Sequence, residues 1–218
     1  MEFEDDEEVR NYDVFIVESC HGMLQGRQSE LDLYEAKSIC DQVLDGLQQL
    51  EKSIKCHNDL KPENVLYNID LDTGEYEIKF CDFGTEGRTG GTPGWTWPKF
   101  MSPRQPGKSD VFSAGLLLLY LMCESEEVFY SIRNNYVENG QLWLPVFRKI
   151  PLIKLVIQMM NLELSVQESR HRWEQISDSM QKISKEYLMS IGVPPSCLKL
   201  QGEDNSDEVN QMIYVIEK

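Results

Sequence analysis

A mainly α chain of the α+β class, built as a helical bundle with one short β-hairpin, is predicted by three observations. Residues 32–52 place Leu33, Ala36, Ile39, Cys40, Val43, Leu47 and Leu50 at helical spacing, with Asp32 and Glu35 as an N-cap pair at the start. Lys108 to Met122 is apolar on nearly every side, which marks a buried helix rather than a surface one. Between them, Val65-Leu66-Tyr67 and Tyr76 to Phe80 flank Asp70-Leu71-Asp72-Thr73-Gly74-Glu75, and two strand-like runs around turn residues predict a hairpin.

In chain order, residues 1–13 form an acidic tail expected to stay solvated. Val14 to Val17 reads as a strand, and Glu18 to Gly22 as a connector. His21 reads as a linker histidine, because no second histidine or cysteine stands at metal-ligand spacing. The apolar stripe of the 32–52 helix is core packing. After the second long helix, Phe129–Tyr136, Leu152–Met160 and Trp173–Met189 read as amphipathic helices. Residues 14–190 are thus expected to fold together. Residues 191–218 read as a tail, with Met212 to Ile216 as a short strand.

Bulk properties bound the function. The 218 residues suffice for one sizeable core. A net charge of -16 argues against the basic footprint that nucleic acid or an anionic membrane selects, and a protein partner, a basic one being compatible with this charge, is expected. Six cysteines without a C-x-x-C pair favour reduced thiols over a disulfide frame. The longest apolar run, Ala114 to Cys123, is too short to span a bilayer, and the expected location is intracellular, in cytoplasm or nucleus.

The chemistry is concentrated in Cys56-His57-Asn58-Asp59-Leu60-Lys61-Pro62-Glu63-Asn64 and in Cys81-Asp82-Phe83-Gly84. A phosphoryl transfer needs one carboxylate to orient and deprotonate a hydroxyl, a cation for the moving charge, and a carboxylate with an amide oxygen to hold magnesium. The hairpin between the two clusters folds its ends together, which brings Asn64 and Asp82 within range of a shared metal.

These two clusters resemble eukaryotic protein kinases. His57 to Asn64 matches the catalytic-loop pattern H-R-D-L-x-x-x-N, Asp82-Phe83-Gly84 is D-F-G, and Lys61-Pro62-Glu63-Asn64 points to the serine/threonine branch. The implied fold is the large, C-terminal lobe of that family, with ATP and Mg2+ as cofactors. The resemblance implies that Asp59 accepts the hydroxyl proton, Lys61 contacts the γ-phosphate, Asn64 and Asp82 hold the metal, and Thr92 in Gly91-Thr92-Pro93-Gly94-Trp95 bonds Asp59 and Lys61. It further implies nucleotide contacts from Glu18, Ser19 and Cys20 at a hinge, from Glu63 and Asp82, and from Leu66 as a floor under adenine. Asp110 in Asp110-Val111-Phe112-Ser113-Ala114-Gly115 would cap the catalytic loop, and His57 would pack on Phe83.

Three departures qualify the resemblance. Asn58 replaces an arginine that reads a phosphate on the activation segment. Lys99 stands where A-P-E has its glutamate, and is expected to face Arg170 repulsively. The small-lobe elements, a G-x-G-x-x-G loop and a strand lysine with its helix glutamate, are not found; the only lysines before Asp59 are Lys37, Lys52 and Lys55. The expectation is a serine/threonine kinase represented in part, its small lobe supplied elsewhere. The alternative is a non-catalytic binding module of kinase ancestry.

Overall fold

The computed structural model describes residues 18–53, 56–83, 91–96, 108–138 and 146–198. The strands expected at Val14–Val17 and Met212–Ile216, the acidic tail, and Lys99 lie outside the described residues.

The architecture is laid around α2 (Lys108–Met122), in which every residue from Ser109 onward is buried. A helix apolar on nearly every side can be stable only if neighbours cover each side. Here α1 (Leu33–Lys52), α3 (Glu126–Glu138) and α4 (Pro151–Met160) do so. Gly115 sets the α2–α4 approach: a Cβ there would come within 3.1 Å of Met159 Cβ, so a larger residue would wedge the helices apart.

α1 begins with a complete capping box, the Glu35 N–H donating to Asp32 Oδ1 and the Asp32 N–H to Glu35 Oε2, both at 2.8 Å. Its buried stripe, Ala36, Ile39, Cys40, Val43, Leu44 and Leu47, faces α2 and β3, and α5 (Val166–Ser177) packs alongside. Trp173 of α5 is fully buried and donates Nε1–H to Asp41 Oδ1 at 2.9 Å, where Arg170 also binds.

The hairpin forms as expected, with β2 (Val65–Ile69) paired antiparallel to β3 (Tyr76–Phe80) in the register Val65↔Phe80 to Ile69↔Tyr76. Asp70 organises the turn, its Oδ1 accepting from Asp72 N at 2.8 Å and Thr73 N at 3.0 Å, while Gly74 takes φ 74°. The connector differs from expectation: Gly22–Met23 is β1, which pairs with Tyr67 and Leu66 on the other edge of β2. The edge groups of β2 need partners. His21 extends the pairing, its N–H donating to Tyr67 O at 3.0 Å and its Nδ1 accepting from Ile69 N at 3.1 Å.

The single helix expected over Trp173–Met189 is instead two, α5 and α6 (Lys185–Ser190). The interruption completes the end of α2: Ile183 N donates to Met122 O at 2.8 Å, and Glu124 N to Ile183 O at 3.0 Å. Lys182 adds bonds to Leu121 O at 2.8 Å and Gln28 O at 3.0 Å. Ser184 then caps α6. Order continues past residue 191, since Val193 and Leu198 are buried and Pro195–Leu198 forms a turn of 3-10 helix against α3.

Cys40 and Cys123 are fully buried, and burial pushes both thiols well above their usual range. The unfolded chain releases these protons above about pH 8.5 and the folded chain keeps them, so the folded state binds more protons there. Stability should therefore fall as pH rises beyond that point, by about 1.4 kcal/mol per pH unit for each thiol. Lys182, whose pKa burial lowers, acts in the opposite sense. The thiol contribution is isolated by comparing urea unfolding at pH 8 and 10 in the natural chain and in Cys40→Ala/Cys123→Ala, where a flatter pH slope is expected.

Candidate active site

The loop that follows α1 is held from below by a carboxylate. Asp110, in the first turn of α2 and almost fully buried, accepts from His57 N through Oδ2 and from Asn58 N through Oδ1, both at 2.7 Å. Burial raises the Asp110 pKa, and the two N–H bonds oppose that shift. Asn58 takes φ 63°, a left-handed conformation that asparagine tolerates better than most residues, and donates Nδ2–H to Cys56 Sγ at 2.9 Å. The residue at this departure is thus suited to the backbone turn. The buried His57 ring packs on Phe83 at 4.9 Å between centroids and edge-on to Phe80 at 5.9 Å.

Pinned in this way, the loop brings four of the singled-out residues into one bonded group. Asp59 Oδ1 accepts from Thr92 N at 2.7 Å, and Asp59 Oδ2 lies 3.6 Å from Lys61 Nζ. Lys61 Nζ donates to Thr92 Oγ1 at 2.8 Å. Asn64 Nδ2 donates to Asp59 O at 2.8 Å and to Asp59 Oδ2 at 3.3 Å. Pro62–Asn64 is one turn of 3-10 helix, closed by Asn64 N bonding Lys61 O at 2.9 Å. The threonine contact to Asp59 is made by its backbone N–H, which leaves the hydroxyl for the lysine.

The hairpin returns the chain beside this group. Cys81 N donates to Asn64 O at 3.0 Å, so Asp82 follows one residue after a direct link to Asn64. Asp82 is exposed with φ 60°. Asn64 spends its amide hydrogens on Asp59 and keeps its amide oxygen for another partner. Among the described residues no three or more His, Cys, Asp or Glu side chains are grouped to hold a metal. Magnesium is ordinarily held by one or two protein oxygens plus substrate phosphates and water, and the Asn64–Asp82 pair suits that mode.

The expected nucleotide-contacting residues divide into two places. Glu18, Ser19, Cys20 and Leu66 lie toward the outer face of the sheet. Leu66 alternates with the buried Val65 and Tyr67, and is flanked in register by Met23 and Lys79. Lys79 Nζ binds Glu18 Oε2 at 2.6 Å, which draws the 18–20 segment over that face. Met23 and Phe83 are 45% and 41% exposed, large apolar groups on a surface beside the bonded group. Glu63 stands apart: its Oε2 is buried without a hydrogen bond among the described residues, and its field acts on Tyr130 of α3.

Sequence reasoning missed the Glu18–Lys79 pair, because partners 61 positions apart carry no local signal. Arg170 was expected opposite Lys99, which lies outside the described residues. Arg170 lies on α5 and is bound by Asp41 and Asp45 of α1 and by Glu174. Its charge is compensated by these carboxylates.

The loop seated on a buried aspartate and the hairpin that follows it, with D-F-G at its end, form one compact unit. The model of the protein kinase domain matches residues 3–190, and the chain belongs to that family. It is 31% identical over 113 residues to the DNA damage response protein kinase DUN1 of Saccharomyces cerevisiae, covering 41% of this chain and 22% of that protein. It is 30% identical over 139 residues to human calcium/calmodulin-dependent protein kinase type 1B, covering 56% and 39% respectively. Over 100 residues it is 31% identical to serine/threonine protein kinase OSK3 of Oryza sativa subsp. japonica, covering 41% and 19%. The chain thus spans well under half the length of these relatives.

Replacing Asp110 by asparagine leaves one of the two buried N–H groups facing an amide NH2. Asp110→Asn should cost about 1–3 kcal/mol, and at roughly 2–4 °C per kcal/mol for a domain of this size it should lower the melting temperature measurably in a thermal scan.

Proposed function

We propose that this chain carries the large-lobe half of a protein serine/threonine kinase, which transfers a phosphoryl group from ATP to a serine or threonine hydroxyl. The observation that carries the reading is the mutual bonding of Asp59, Lys61, Asn64 and Thr92, because in-line transfer depends on positioning and charge placement more than on covalent chemistry.

In this reading Asp59, its carboxylate fixed by Thr92 N and Asn64 Nδ2, orients the substrate hydroxyl and takes up its proton. Lys61 uses one of its three donors on Thr92 and turns the others toward the transferred phosphoryl oxygens. Asn64, through its amide oxygen, and Asp82, through its carboxylate, would hold magnesium, which when bound neutralises charge on the phosphates. Leu66 and Met23 offer apolar surface to an adenine ring, with backbone groups of Glu18 to Cys20 at its edge. The acidic net charge favours basic stretches in the protein substrate at long range.

Two measurements test the proposal. Titration with magnesium and ATP, followed by thermal shift and calorimetry, should give saturable metal-dependent binding that Asp82→Ala abolishes. Phosphoryl transfer to a serine-containing protein, measured with a small lobe present, should fall by about 10²–10⁴ in Asp59→Asn. Transfer undiminished in Asp59→Asn would overturn the assignment of the base. A folded chain that binds no magnesium nucleotide would instead support the non-catalytic binding role.

A further inference from the structure

Arg133 of α3 is a cation beside the candidate site that the scheme above does not use. Its guanidinium lies against Gly94 so closely that a Cβ there would overlap Nη2 and sit 2.8 Å from Cζ. Gly94, at φ 85°, is in a turn where Trp95 N and Thr96 N both donate to Thr92 O, at 3.0 and 3.1 Å. That threonine is the one bonded to Asp59 and Lys61. An aromatic wall fixes the arrangement: Trp95 stacks on Phe129 at 5.4 Å, Phe129 meets Tyr130 at 5.1 Å, and Arg133 Cζ is 5.8 Å from the centre of the Tyr130 ring.

Among the described residues Arg133 has no ion pair and no hydrogen bond, whereas Arg27 and Arg170 each bind carboxylates. Burial holds its pKa below the usual range. The half-buried guanidinium presents five N–H donors in a fixed fork, which match the two oxygens of a carboxylate.

We propose that Arg133 is a specificity-determining residue that receives an acidic side chain of the protein substrate near the accepting hydroxyl. The proposal rests on the kinase reading of the neighbouring site. Glu63 and Glu126 also act on Tyr130, so an anion is favoured only within direct reach of the guanidinium. The net charge of -16 opposes an acidic peptide at long range, but charges beyond about 8 Å are largely screened at physiological salt and the contact decides.

The test is fluorescence anisotropy with the full 218-residue chain and three labelled peptides, each with one serine flanked by glutamates, alanines or arginines. The glutamate peptide should bind the natural chain about tenfold more tightly than the alanine peptide. Arg133→Gln should erase that preference, and Arg133→Glu should transfer it to the arginine peptide. Equal binding of the glutamate and alanine peptides by the natural chain overturns the inference without recourse to any variant, as does a preference that survives Arg133→Gln. Because the assay contains no nucleotide, intact magnesium-nucleotide binding with no peptide preference defeats this inference alone, and the reverse result defeats the catalytic reading alone.

Discussion

The structure depends above all on one buried carboxylate. Asp110 takes the backbone N–H groups of His57 and Asn58 while sitting in the first turn of the most deeply buried helix. Two charge-assisted bonds to consecutive N–H groups fix the direction in which the chain leaves that point. Asp59, Lys61 and Asn64 follow within six residues of Asn58. The desolvation cost of Asp110 is offset only while both donors are present, so helix and loop are held as one unit.

From that anchor the site is completed by segments distant in sequence. Thr92 arrives from a turn braced by Trp95, whose ring lies in the aromatic cluster of Tyr120, Phe129 and Tyr130, so α3 supports the placement of a residue that bonds Asp59. The hairpin contributes by geometry alone: five cross-strand pairs return the chain so that Cys81 N meets Asn64 O. Asp82 then emerges exposed, one residue beyond that link. The outer face of the same sheet presents Met23, Leu66 and the Glu18–Lys79 pair, and its inner face belongs to the core. One small sheet thus separates packing from the candidate nucleotide surface.

Much of this was legible in residue order. The capping box of α1, the mostly apolar α2 and the hairpin with its Asp70 turn are local patterns whose physics operates within a few residues. The grouping of Asp59, Lys61 and Asn64 is legible for the same reason, since a 3-10 turn at Pro62–Asn64 follows Lys61 and Asn64 Nδ2 reaches back to Asp59. Reasoning failed where a local pattern had a long-range competitor. A helix continuing from Trp173 to Met189 agrees with periodicity, yet the unsatisfied end of α2 recruits Lys182 and Ile183 and breaks it. Gly22 and Met23 carry no strand signal of their own and pair only because an open edge of β2 lies beside them.

The sequence by itself determined which residue types were available for phosphoryl transfer and the local elements that carry them, because capping, alternation and apolar periodicity act over short distances. Only the tertiary structure decided which charges met. Arg170 was claimed by Asp41 and Asp45, Lys79 by Glu18, and Arg133 was left against Gly94 with no carboxylate partner among the described residues. Pairing between charges on different elements depends on how helices and sheet dock, and docking is set by the whole apolar core rather than by any neighbour in the chain.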